Sequence, residues 1–586
     1  MAAEHLRVHA RRNAARVARA PAVHTSRITR LLRGAATAAA LAAPLLAGCA
    51  ATSPGLLGTP TLVVVNAKVV TVDDARSMAQ AFAIRDGRFV AVGTDAGMRA
   101  LAGPATRIID ARGRTVLPGL NDGHIHMVRA GFLWKYEARL DEAQSVEDVL
   151  ATVRARAQAV PAGTWILALG GWHHSQLRER RMPSRAELDA AAPGHPVYLQ
   201  ALRDVGQMNS AAIRASGFTA DMKVPPGVVL GRDAAGPFDG SIAGFLGQTV
   251  AERAFPVATF EDKVTGLAQV MCDFNASGLT SVGETFGIGV SEDDYQVLYE
   301  LWRRRGMTVR TAVHFPTLDA EHAKRWLAYP AAGFGDDMLM LNGIGEGVLA
   351  AMGDGYLPRQ FPIPPAARGE LQRIVEAGAA NKVNFQFHAT IQTTMEAILD
   401  SLEAAHARTP IDRLRITFLH AEQITPSIIE RMKKLGMGVQ MQNRQSLGSE
   451  IMKANWGDRA HDIPPVRSVV QSGLPFAGGT DGTTSSSYRP FISLGWLITG
   501  KNWRGDVVRP TERLTREQAL HAYTRGSAWF SWEEDRKGAI APGMLADFIV
   551  LDRDYLSVPE DDIRFLRPVL TAVGGRVVFE DGKCRP

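Results

Sequence analysis

The stretch LPGLNDGHIHM, residues 117–127, decides how this chain is read. It sets two histidines, His124 and His126, one residue apart behind a Pro-Gly and an Asp-Gly. In an extended strand, residues i and i+2 point to one side, so both imidazoles can face one point. His-x-His alone is a weak signal. Its weight depends on what the rest of the chain brings to the same place.

Beyond this stretch the chain alternates strands and helices. Short apolar strands are marked at TVLPGLNDGHIH (115–126), LTSVGET (279–285), MTVRTAVHF (307–315) and MLMLNGIGE (338–346). Four more follow at KVNFQFHAT (382–390), LRITFLHAE (414–422), GMGVQMQN (436–443) and LPFAGGTD (474–481). Amphipathic stretches such as RGELQRIVEAGAAN (368–381) lie between most of them. Eight strands with helical crossovers predict an α/β fold, a (β/α)8 TIM-like barrel over 117–536. Residues from about 140 to 260 exceed one βα unit and predict an inserted subdomain after the first strand. Residues 61–116 and 537–586 are β-branched runs broken by Asp-Gly and Gly-Gly turns. They predict a small β-sandwich domain built from both chain ends.

Active sites in such barrels sit at the C-terminal ends of the strands. His124 and His126 end the first marked strand, His388 the fifth, His420 the sixth and Asp481 the eighth. A lone histidine at a strand end is more often structural than a ligand. Five such residues in this order converge on one mouth.

This constellation resembles the amidohydrolase superfamily, which carries His-x-His on the first barrel strand, one His each on the fifth and sixth, and an Asp on the eighth. The likeness spans about residues 60–586, with PGMLADFIVLD (542–552) similar to the family's closing segment. GGWHHSQLRERRMPSRAELDAAAPGHPVYL (170–199) further resembles the branch of N-substituted formamide deformylase and exported hydrolases. The resemblance implies a divalent metal, zinc foremost and two per chain, held by His124, His126, His388, His420 and Asp481. Imidazoles and carboxylates suit such ions, which lower the pKa of their water from ~15.7 to roughly 7. Asp481 would also be the catalytic group, taking the water's proton and delivering it to the leaving group.

One piece departs from the family's common pattern. No lysine lies between Lys324 and Lys382, where many members carry a bridging carboxylated lysine. Glu346, at the end of the fourth strand, is the candidate bridge, with Asp354 and Glu284 as competitors. Trp172, His173, Gln442 and Asn443 are expected to touch substrate, with His174 beside them in the insertion. The branch's His-x-x-Gly-Asp run after the fifth-strand histidine reads HATIQTT (388–394) here.

The expected function is hydrolysis of an amide-like C–N bond in an amide, formamide, cyclic amide or carbamate by metal-activated hydroxide. A mononuclear deaminase, with Glu422 shuttling protons, is the alternative. A degenerate barrel serving as a binding lipoprotein is a remote third.

The formal charge of +6 gives no case for nucleic acid as a partner. Residues 1–48 hold eight arginines and one acid, Glu4, leaving 58 basic against 59 acidic residues in the remainder. That leader runs from its arginines into GAATAAALAAPLLAGC (34–49), the order of an export signal. Its Leu-Ala-Gly-Cys ending resembles a lipobox, implying that Cys49 is lipidated and anchors a lipoprotein on the periplasmic side of a bacterial cell envelope. Residues 49–60 read as a linker. A small-molecule substrate is the expected partner, and a homo-oligomer is left open. Cys272 and Cys584 are no disulfide framework in so long a chain: Cys272 reads as a core residue and Cys584 as exposed.

Overall fold

The computed structural model describes residues 58–75, 77–285, 287, 290–317, 319–327 and 333–585. The leader, with Cys49, lies outside the described residues.

Eight parallel strands follow one another around a barrel. They are β1 (Leu120–Ile125), β2 (Leu279–Thr285), β3 (Arg310–Phe315), β4 (Leu339–Ile344), β5 (Asn384–Ala389), β6 (Thr417–His420), β7 (Gly438–Gln442) and β8 (Phe476–Gly479). The ring closes where the Asp481 N–H donates to the His124 carbonyl at 2.9 Å and the His126 N–H to the Gly482 carbonyl at 2.9 Å. The outer helices are started by local chemistry. Thr259 and Asp262 form a capping box at the head of Phe260–Ala276, and Thr425 with Pro426 opens Pro426–Lys434. The main core, from Leu120 and Phe274 through Phe385 to Leu494, fills the space between strands and helices.

TVLPGLNDGHIH, read as one strand, is two. Thr115–Pro118 pairs antiparallel with Phe548–Leu551, and only Leu120–Ile125 enters the barrel. Gly119 is the break. A Cβ there would meet the Thr280 hydroxyl at 2.1 Å, so the chain turns where no side chain fits. The terminal strands form a seven-stranded sheet, uniting Thr115–Pro118 and Lys68–Val70 with Phe548–Leu551, Pro568–Val573 and Arg576–Glu580, and a four-stranded sheet around Leu62–Val65. Leu62, Phe82, Val116, Phe548 and Leu570 share the core of this region. Between β1 and β2 lies a five-stranded sheet of Val229–Arg232, Phe238–Ala243, Val205–Met208, Val197–Ala201 and Ile166–Ala168, with apolar cores of its own.

The cysteine reading is corrected. Cys272, on helix Phe260–Ala276, is bonded to Cys584 on the last strand, with Cα atoms 5.7 Å apart and a sequence separation of 312. Both side chains are half-buried. The C-terminal hairpin folds back over that helix, a proximity that spacing along the chain does not reveal. Among the described residues no helix is long and apolar enough to cross a membrane.

Candidate metal centre

All six residues expected as ligands reach one point at the C-terminal mouth of the barrel. Glu346 sits at the centre. Its Oε2 lies 3.3 Å from His124 Nε2, 3.3 Å from His420 Nε2 and 3.4 Å from His388 Nδ1, and its Oε1 lies 4.0 Å from His126 Nε2. Asp481 Oδ1 lies 3.2 Å from His126 Nε2 and 3.7 Å from His124 Nε2.

Each imidazole spends one nitrogen on its own placement. His124 Nδ1 meets the Thr285 hydroxyl at 3.1 Å and His126 Nδ1 the Thr285 carbonyl at 3.0 Å. His388 Nε2 meets the Gly355 carbonyl at 2.8 Å, and His420 Nδ1 the Gln442 amide oxygen at 2.7 Å. The other nitrogen of each ring faces the centre. Outer partners of this kind fix ring orientation in metal sites. His420 and Asp481 hold φ of 74° and 54°, left-handed values that non-glycine residues adopt at a cost of about 1–3 kcal/mol.

The donor set fits a divalent ion. His124 Nε2 is buried and makes no hydrogen bond, although two carboxylates stand within 3.7 Å. A buried polar atom left so calls for a partner. Burial would raise the Glu346 carboxyl, but His388, His420 and His124 outweigh it and hold it well below the usual carboxylate range. Burial likewise opposes ionisation of Asp481, and His124, His126 and His420 prevail. Both groups are therefore carboxylates, as ligands must be.

The competitors for the central position are engaged elsewhere. Asp354 accepts from the Thr390 and Ile391 N–H groups, both at 2.9 Å, and stands 3.3 Å from the outward Nε2 of His388. Glu284 accepts from the Met127 N–H at 2.5 Å, and burial pushes its carboxyl up to about 8.

The residues expected to touch substrate have these surroundings. Trp172 is fully buried in the insertion's core. His173 caps the short helix His174–Gln176 and meets Asp204. Gln442 holds His420, and Asn443 bonds the Ser446 and Ser486 hydroxyls. Gln442 and Asn443, at the end of β7, are buried and turned to neighbouring side chains.

Three supporting residues were missed in the sequence. Asp122 accepts from the Thr480 hydroxyl at 2.6 Å and the His124 N–H at 3.0 Å, locking β1 to the segment after β8. Thr285, at the end of β2, holds the His124 and His126 rings. Arg444, fully buried, donates to Glu422 at 2.6 Å and to the Thr390 hydroxyl at 3.1 Å, with Nη1 3.8 Å from Asp481 Oδ2. Only Asp122 carried a local signal, its position two residues before His124.

The amidohydrolase family profile matches residues 107–579. The chain belongs to the amidohydrolase family. It is a hydrolase that acts on carbon–nitrogen bonds other than peptide bonds. It is 26% identical to N-substituted formamide deformylase of Arthrobacter pascens over 547 residues, covering 89% of this chain and 98% of that one. An uncharacterized metal-dependent hydrolase from Pyrococcus furiosus shares the fold at a TM-score of 0.61 and 21% identity, over 85% of this chain and 100% of that one. The zinc complex of an atrazine chlorohydrolase variant from Arthrobacter aurescens does so at 0.52 and 15% identity, over 89% of this chain and 96% of that one.

Proposed function

We propose that this amidohydrolase hydrolyses an amide-like C–N bond (amide, formamide, cyclic amide or carbamate) at the barrel mouth, with two divalent ions, zinc foremost. The observation that carries the reading is the six-residue cluster centred on Glu346, with His124 Nε2 aimed into it and unbonded. The formamide deformylase named above supports the bond class, and the zinc-bearing neighbour supports the metal.

His124, His126 and Asp481 would hold one ion, His388 and His420 the other, with Glu346 between them. A bound divalent ion supplies a Lewis acid for the substrate oxygen and lowers the pKa of water. The chain supplies the rest. Asp481 accepts the proton of the attacking water at its carboxylate and passes it to the leaving nitrogen. Arg444, held by Glu422, places its Nη1 3.8 Å from Asp481 Oδ2. The pairing with Arg444 engages Glu422 through Oε1 alone; its Oε2, buried and without a hydrogen bond, is the oxygen that the alternative deaminase reading would use as its proton shuttle.

The test is a screen of chelator-stripped and zinc-reloaded protein against N-acyl amino acids, formamides, cyclic amides, carbamates and lactones. Turnover of a C–N substrate is expected to vanish on stripping and return on reloading. Undiminished turnover by protein verified metal-free would end the proposal.

We also propose an exported, lipid-anchored location. The Cys272–Cys584 bond supports an oxidising compartment, since disulfides persist there and are rare in the cytosol. Cys49→Ser is expected to move the protein from the membrane fraction to the soluble one or to block its processing. An unmodified N-terminus elsewhere, by mass spectrometry, would contradict the anchor.

A further inference from the structure

A second cluster of ligand-type side chains lies in the insertion and shares no residue with the barrel's own set. Ile166–Ala168 and Val197–Ala201 are neighbouring parallel strands, so the loops that leave them run side by side. The Leu202 N–H donates to the Trp172 carbonyl at 3.1 Å and ties those loops together. They bring His173 and His174 from one loop against Asp204 from the other. One ligand atom from each of the three residues lies within 4.8 Å of the others. His173 Nε2 stands 3.2 Å from Asp204 Oδ2. His174 Nδ1 is buried and has no hydrogen-bond partner.

We propose that His173, His174 and Asp204 form a further cation site that takes a borderline transition-metal ion such as zinc. Tetrahedral ligands at ~2.0–2.1 Å from an ion stand about 3.3–3.4 Å apart, close to the observed His173–Asp204 separation. Two imidazoles and one carboxylate suit zinc, nickel or copper(II), whereas magnesium and calcium favour all-oxygen sets. The His173 ring is already oriented: its Nδ1 meets the Ser175 hydroxyl at 2.7 Å, the outer hydrogen bond that metal-binding histidines use. The site is reachable, because the Asp204 side chain is 47% exposed while His173 is 4% exposed. Three protein ligands leave room for a water. Occupancy clamps the two insertion loops together. It does so beside the catalytic rim, because the Gly171 N–H donates to the Thr484 carbonyl at 3.1 Å, three residues after Asp481.

The experiment is zinc stoichiometry by elemental analysis after saturation and desalting, on the full chain. Asp204→Asn and His174→Ala are each expected to bind one zinc fewer per chain than wild type. The same loss is expected on adding Asp204→Asn to Glu346→Ala, which makes the result independent of how many ions the barrel holds. Asp204→Asn is the safer variant, since among the described residues the only side-chain hydrogen bond of Asp204 is to His173. Circular dichroism checks the fold of both. Equal zinc content in wild type and both folded variants would overturn the site.

Discussion

Asp481→Asn is expected to lower kcat by about 10²–10⁴-fold, the usual worth of a positioned general base, while fold and most bound metal remain. The fold should survive because the substitution keeps the side chain's size and the backbone bond from residue 481 to the His124 carbonyl. Position 481 also holds φ of 54°, a left-handed value that asparagine tolerates better than most residues. Metal should largely survive because the histidines and Glu346 are untouched. What the amide lacks is a basic oxygen. The wild-type carboxyl is ionised because His124, His126 and His420 offset its burial, so it can accept a proton at neutral pH. His124→Ala should behave differently, losing metal together with activity. The measurement is kcat on a substrate found by the screen, with metal content read from the same sample. Near-normal kcat in Asp481→Asn with full metal would remove the general-base role.

The cluster of candidate ligands was legible in the sequence because it is local in kind and periodic in place. Each ligand ends an apolar strand, and strand ends of one barrel share a face. What holds those ligands was not legible. Thr285 lies 161 residues from the His124 ring it orients, and Asp354 lies 34 before His388 with no pattern between them. Such contacts are made by loops whose paths depend on packing, not on periodicity. The same cause hides the hydrogen-bond partners of the residues expected to touch substrate. Gln442 ends a strand as a ligand would, yet its amide turns sideways to His420 because β6 and β7 are neighbours. The disulfide is the extreme case, since no spacing rule joins two cysteines 312 residues apart. In the terminal domain the strands were legible from their β-branched runs. Their pairing across the whole chain, Val116 beside Val550, rests on tertiary contact alone.

In the Asp204→Asn background, which removes the insertion's cation site, Glu346→Ala is expected to reduce the metal content from two ions per chain to one or none, and turnover with it. Two dications roughly 3.5–4 Å apart repel strongly where the dielectric is low, so a pair needs an anion between them. Glu346 is the carboxylate that would take that position. It reaches His124 on β1 and His388 and His420 on β5 and β6, each within 3.4 Å, whereas Asp354 reaches only the outward nitrogen of His388. Glu346→Gln should match Glu346→Ala in metal content, because a neutral amide bridges poorly. A carboxylate supplied by the chain also needs no carbon dioxide, so added bicarbonate should leave activity unchanged. Elemental analysis in that background, with and without each Glu346 substitution, decides the matter. Two tightly held ions after Glu346→Ala there would shift the bridge to another group. One ion in the saturated Asp204→Asn protein would instead favour a mononuclear centre, with Glu346 acting as a base beside the ion rather than between two.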